Sequence, residues 1–217
     1  MSFDLIIFDC DGVLIDSEHI SCSVFITVLA ELGLHMTLEE AISTFVGKAI
    51  STNLTYVEEH LGRSLPDSFL INLQARTIEK FKTDLLPIEG IHEALSGINK
   101  PVCVASSSNL EWIDLALKTV GLSNYFQSNI FSASQVKRGK PAPDVYLHAA
   151  QTMGVVPSKC AVIEDTPTGV LAGASAGMTV FGYTGTFAGD KLIEAGAHYK
   201  FDKMKELPNI LMTAAKV

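Results

Sequence analysis

Three short runs of unbroken apolar residues constrain this chain more than any other feature. Leu5-Ile6-Ile7-Phe8, Val102-Cys103-Val104-Ala105 and Ala161-Val162-Ile163 show no period-two alternation, and Thr179-Val180-Phe181-Gly182 is a weaker fourth. A strand with one wet face alternates apolar and polar side chains. A continuous run instead predicts a strand buried on both faces, as in a parallel sheet covered by helices. Residues 111–120, 143–153 and 167–176 lie between and after these runs and read as helices. Strands alternating with helices of about ten residues make βαβ units and predict a doubly wound, Rossmann-like α/β fold.

Residues 18–82 break that rhythm. They read as four helices in succession, over 20–32, 37–44, 53–61 and 67–82. Thr37 and Glu40 have the spacing of a capping box, and Gly33 and Gly62 suit helix C-termini. The expected organisation is a core of residues 1–16 and 84–217, with a helical domain of residues 17–83 inserted after the first strand. Hinges fall near 13–17 and 83–89.

The first three runs are each followed by residues able to do chemistry. In an open α/β sheet, ligands bind outside the carboxyl ends of the strands. Asp9-Cys10-Asp11-Gly12-Val13 stands at such an end, and a spacing of two in extended chain puts both carboxylates on one side. Simple loop capping is the competing reading of such a pair. Ser106-Ser107-Ser108-Asn109 follows the second run. Ser108 with Glu111 fits a capping box, leaving Ser106 and the N–H groups of the turn to receive an anion. Lys140 precedes Pro141 and Pro143, a rigid turn that fixes where a cation points. Lys137 and Arg138 beside it read as exposed.

Glu164-Asp165 follows the third run and would otherwise be ordinary helix-start acids. Together with Asp9 and Asp11 they bring four carboxylates to one sheet edge. A like-charge pair about 4 Å apart at an effective dielectric near 20 costs on the order of 4 kcal/mol, so a cation is expected there. An oxygen-only ligand set favours Mg²⁺ over zinc.

Composition excludes several alternatives. The 217 residues are 47% hydrophobic and 18% charged, which describes a folded chain long enough to bury a core. The net charge of -8, with no Lys/Arg-rich stretch to offset it, argues against a nucleic-acid partner. Cys10, Cys22, Cys103 and Cys160 form no CxxC pair, so they read as small apolar side chains in a reducing compartment. His19, His35, His60, His92, His148 and His198 have no metal-ligand spacing, and only His19 falls near the first motif. No basic segment precedes an apolar stretch at the N-terminus, and no apolar run approaches the roughly 18–20 residues of a membrane span. The expectations are a cytoplasmic protein with no membrane partner, and a monomer by default.

Taken in order, DCDGVL, VASSSN, GKPAPD and VIEDTPTG resemble the four motifs of the haloacid dehalogenase-like hydrolase superfamily. The match is closest to the branch of β-phosphoglucomutase and the small sugar-phosphate and phosphoglycolate phosphatases. The motifs span residues 9–169, and the helical insert is similar to that branch's cap domain. The resemblance implies that Asp9 attacks phosphorus and becomes an aspartyl-phosphate. Asp11 would protonate the leaving oxygen, activate the hydrolytic water and bind Mg²⁺ through its backbone carbonyl. Ser106, Ser107 and Lys140 would hold the phosphoryl oxygens. Asp9 and Asp165 would be metal ligands, with Glu164 as a ligand or as support for one. Lys48, in the cap loop Phe45-Val46-Gly47-Lys48, is the candidate for substrate contact. Asp11 also separates the chain from true dehalogenases, which need no metal and have no aspartate at the matching position.

These implications predict a magnesium-dependent phosphatase acting on a small phosphorylated metabolite. The alternatives are a β-phosphoglucomutase-like phosphosugar mutase or, from another class, a catalytically idle binding protein. Against the mutase, motif alignment puts Ile50 where the mutase has an arginine for the distal phosphate. It puts Ser21 where the mutase has a histidine that gates the aspartate.

Overall fold

The computed structural model describes residues 2–46 and 50–214. It opens with β1 (Leu5–Phe8), then runs through α1 (Ser17–Glu31), α2 (Leu38–Phe45), α3 (Ile50–Leu61) and α4 (Phe69–Asp84). The α/β alternation follows: α5 (Ile91–Gly97), β2 (Val102–Ser106), α6 (Leu110–Thr119), α7 (Ser123–Phe126), β3 (Ile130–Ser132), α8 (Asp144–Thr152) and β4 (Cys160–Glu164). The chain ends with α9 (Pro167–Ser175), β5 (Thr179–Tyr183), α10 (Gly189–Glu194), β6 (Tyr199–Phe201) and α11 (Leu207–Ala214). Two compact units result. One comprises Met1–Ile15 with Pro87–Val217, and the other Asp16–Leu86.

In the first unit the strands form one parallel sheet in the order β3-β2-β1-β4-β5-β6. The strand order reverses beside β1, where β2 and β4 flank it, and such a switch point opens a crevice at the carboxyl ends of the strands. The apolar runs are buried on both faces as expected: Leu5, Ile6, Ile7 and Phe8 are all within 1% of complete burial. Leu5, Ile7, Cys103, Ala105, Cys160 and Val162 share one apolar cluster with Val145 and Ala149 of α8 and Val170 and Ala172 of α9. On β1, Phe8 meets Phe126 of α7 edge-on, with ring centroids 6.0 Å apart. Helix α9 comes close enough to the sheet that a Cβ on Gly173 would lie 2.9 Å from a methyl of Val180.

The short strands β3 and β6 lie outside the sequence expectations. They are the edges of the sheet, with a neighbour on one side only, and three residues each carry too little pattern to read.

The second unit is helical, as its sequence predicts. Phe25, Phe45 and Phe69 gather at its centre, with Phe25 to Phe45 centroids 4.8 Å apart and Phe25 to Phe69 6.1 Å. The predicted capping box is present: Glu40 N donates to Thr37 Oγ1 at 3.2 Å, and Thr37 N donates to Glu40 Oε2 at 2.7 Å. Gly33 and Gly62 follow α1 and α3 with φ of 97° and 64°, the left-handed conformation that ends a helix. Lys48 lies outside the described residues. No helix among the described residues is long and apolar enough to cross a membrane.

Candidate active site

Every described residue of the candidate site belongs to the first unit. Asp9 continues the β1 ladder, its N–H donating to Ile163 O of β4 at 3.0 Å. The chain then curls around Cys10, whose carbonyl accepts from Val13, Leu14 and Ile15 N–H groups. Gly12 makes the curl possible twice over. Its φ of 78° is left-handed, and a Cβ there would collide with Asp165 Oδ2. This turn therefore packs against the end of β4 only because position 12 has no side chain.

Lys140 lies in the loop before α8, and its peptide bond to Pro141 is cis. Its side chain is 5% exposed, and Nζ donates to Asp9 Oδ1 at 2.6 Å and to Glu164 Oε1 at 2.7 Å. Burial opposes the lysine's charge, but the Asp9 and Glu164 carboxylates outweigh it and hold the ammonium well above the usual lysine range. Burial would likewise raise Glu164, yet Lys140 and the Thr166 and Tyr146 donors hold it below its ordinary value. Asp9 is pushed up to about 7, first by burial and then by its Glu164 and Asp11 neighbours, against the pull of Lys140. One buried cation does not neutralise this group.

Both oxygens of Glu164 accept hydrogen bonds. Besides Lys140, Oε1 accepts from the Tyr146 hydroxyl at 2.8 Å, and Oε2 accepts from Asp165 N, Thr166 N and Thr166 Oγ1, each at 3.0 Å. A Cβ on Gly169 would overlap this carboxylate, so the first turn of α9 can close over it only with glycine there. Tyr146 is fully buried, and its ring also stands 4.7 Å from Lys140 Nζ. Sequence reading missed it because Tyr146 sits on the apolar face of α8 and reads as core.

Asp9, Glu164 and Asp165, all buried, each bring one carboxylate oxygen within 4.8 Å of the others. The donors are all oxygen, and Gly12 keeps the space beside Asp165 Oδ2 clear of any Cβ. This set fits a small hard cation such as Mg²⁺.

At the end of β2, Ser106 is 1% exposed, and its Oγ accepts from Ser108 N at 3.0 Å. Its hydroxyl hydrogen remains for another acceptor. Ser107 is exposed. The expected Ser108–Glu111 capping box does not form. Asn109 is the N-cap of α6, its side chain accepting from Trp112 N at 2.8 Å. Ser108 Oγ instead donates to Asp11 Oδ2 at 2.9 Å. His19, the histidine nearest the first motif in sequence, belongs to the second unit and pairs with Asp16 at 2.9 Å.

Residues 3–177 match the family model of the haloacid dehalogenase-like hydrolases. The 6-phosphogluconate phosphatase of Escherichia coli K12 is 31% identical over 179 residues, covering 82% of this chain and 81% of that one. A phosphorylated carbohydrates phosphatase from Thermotoga maritima is 33% identical over 218 residues, covering 96% and 98%. A haloacid dehalogenase-like protein from Agrobacterium tumefaciens superposes with a TM-score of 0.90 at 36% identity, over 99% of this chain and 100% of that one.

Removing one partner of a buried ion pair leaves a charge with nothing to offset it. Lys140→Met should therefore destabilise the protein by about 3–5 kcal/mol, read from urea unfolding at neutral pH. Asp114→Ala, which removes an exposed partner of Lys118, should cost under about 1 kcal/mol in the same assay. Equal effects would mean that Lys140 is not held as a buried charge.

Proposed function

Because this chain belongs to the haloacid dehalogenase-like hydrolase family, we propose that it is a magnesium-dependent phosphatase of small phosphorylated carbohydrates, working through a phosphorylated Asp9. The observation that carries this reading is the Lys140 ammonium 2.6 Å from Asp9 within a buried cluster of acids. A nucleophilic carboxylate must approach an anionic phosphate, and it needs positive charge at its side to do so. The two phosphatase relatives are named for 6-phosphogluconate and for phosphorylated carbohydrates, which supports the substrate class.

In the first half-reaction, an Asp9 carboxylate oxygen forms a bond to phosphorus as the ester P–O bond breaks. Asp11 gives its proton to the departing alkoxide. In the second, Asp11 takes a proton from water as the water oxygen bonds to phosphorus and the Asp9–phosphorus bond breaks. Ser106 and Lys140 hold the phosphoryl oxygens, with Ser107 contributing from the exposed end of the turn. Asp9, Asp165 and the Asp11 carbonyl would hold a magnesium ion, which would supply positive charge to offset that of the phosphoryl group. Glu164, with its oxygens already engaged by Lys140, Tyr146 and Thr166, supports these ligands and aims the lysine. Lys48 is the proposed contact for the remote part of the substrate.

Asp9→Asn should lower kcat by several orders of magnitude with the melting transition retained, because it removes the covalent nucleophile. Activity of the wild type should vanish in EDTA and return with Mg²⁺. A mutant with more than about a tenth of wild-type kcat, a barrier change under roughly 1.4 kcal/mol, contradicts the covalent role. Full activity after chelation contradicts the metal.

The position expected to carry the mutase arginine is Ile50, which is 52% exposed at the start of α3. With no bidentate cation there for a second phosphate, water should capture the intermediate. Phosphorus NMR of β-glucose 1-phosphate with a bisphosphate primer should show inorganic phosphate and no glucose 6-phosphate. Isomerisation faster than phosphate release would make the protein a mutase.

A further inference from the structure

The turn after β2 does not use Ser108 for the helix cap that its sequence offers. Asn109 takes that role, and the Ser108 hydroxyl reaches instead to Asp11 Oδ2, 97 positions away in the chain. The serine is held at both ends of its backbone. Its N–H donates to Ser106 Oγ at 3.0 Å, and its carbonyl accepts from Ser132 Oγ at 2.6 Å. Both of those serines are buried, at 1% and 0% exposure. Ser132 is itself fixed at the end of β3, where its Oγ accepts from Ser134 N at 3.0 Å and its N–H donates to Gln135 Oε1 at 2.8 Å. The ends of β2 and β3 thus hold one hydroxyl against the carboxylate that β1 supplies.

We propose that Ser108 is a positioning residue for Asp11, holding Oδ2 as an acceptor so that Oδ1 is the oxygen that carries the proton. The inference rests on the acid–base role of Asp11 in the proposed function. A carboxyl group offers two oxygens, and the final torsion of an aspartate is broad and nearly two-fold, so nothing within the side chain selects one. A hydroxyl donating to Oδ2 selects it from outside. The proton given to the leaving alkoxide, and later taken from water, then resides on the oxygen turned away from Ser108. Proton transfer depends on aim within hydrogen-bond reach, so a carboxyl free to rotate would lose part of its effect without losing its identity.

The test uses leaving groups of graded basicity. A 4-nitrophenolate departs without a proton, whereas the alkoxide of glycerol phosphate needs one. Ser108→Ala should lower kcat/KM for glycerol phosphate by about tenfold or more, yet that for 4-nitrophenyl phosphate by less than about threefold. Ser108→Thr keeps a hydroxyl and should restore the wild-type dependence. Asp11→Asn should show the same dependence with a larger loss, which reports on the acid itself. Equal losses on both substrates in Ser108→Ala, or no loss on either, with Asp11→Asn still sensitive to the leaving group, would overturn the role of Ser108 and leave that of Asp11 standing. An Asp11→Asn variant indifferent to the leaving group would overturn the acid role, and the inference with it. A Ser108→Thr variant that behaves as Ser108→Ala would show that the turn, not the hydroxyl, matters, which also overturns the proposal.

Discussion

The ammonium of Lys140, buried between Asp9 and Glu164, is the interaction on which the rest of the site depends. Its two partners stand at the ends of β1 and β4, and the lysine arrives from the loop ahead of α8. Three separate parts of the chain therefore become mutually necessary. Taking any one of these charges into the interior alone is strongly unfavourable. Together they satisfy one another, and the Tyr146 hydroxyl and the Thr166 donors complete Glu164. A charge imbalance remains by construction. Lys140 offsets one carboxylate among Asp9, Glu164 and Asp165, and burial has already raised Asp9 to about 7. A small hard cation would meet that excess through oxygen ligands, so the cluster suits an ion such as Mg²⁺.

Close approach is the second constraint, and it acts through absent side chains. Gly12 lets the β1 turn settle against Asp165, and Gly169 lets α9 begin directly over Glu164. Both glycines sit beside carboxylates, not in distant turns. Alanine at either position would force these carboxylates out of their present places.

Much of this was legible in the sequence because the signals are local. β1, β2 and β4 are apolar up to their last residues since helices cover both faces, and the candidate site residues stand at or just past those ends because the crevice lies at the carboxyl ends. The edge strands β3 and β6 were not legible, since three residues with one neighbouring strand have no pattern to impose. Ser108 was misread for a different reason. Ser108 and Asn109 both have N-cap chemistry, and the choice between them is made by Asp11, which the chain brings back from 97 positions earlier. Tyr146 was invisible as a polar partner because its hydroxyl does its work inside a face that reads as ordinary core. Local rules recovered the framework, and long-range hydrogen bonds decided the supporting residues.

The central claim is that Asp9 itself becomes phosphorylated, and chemical trapping tests it most directly. The enzyme is mixed with a sugar phosphate and Mg²⁺, quenched in acid during turnover, and reduced with borohydride, which converts an acyl phosphate to an alcohol. Peptide mass spectrometry then reads each aspartate. The account predicts homoserine at position 9, dependent on substrate, with no reduced residue at Asp11, Glu164 or Asp165. Steady turnover with Asp9 recovered unmodified under conditions that trap a known acyl phosphate, or with the reduced residue at another position, would contradict it.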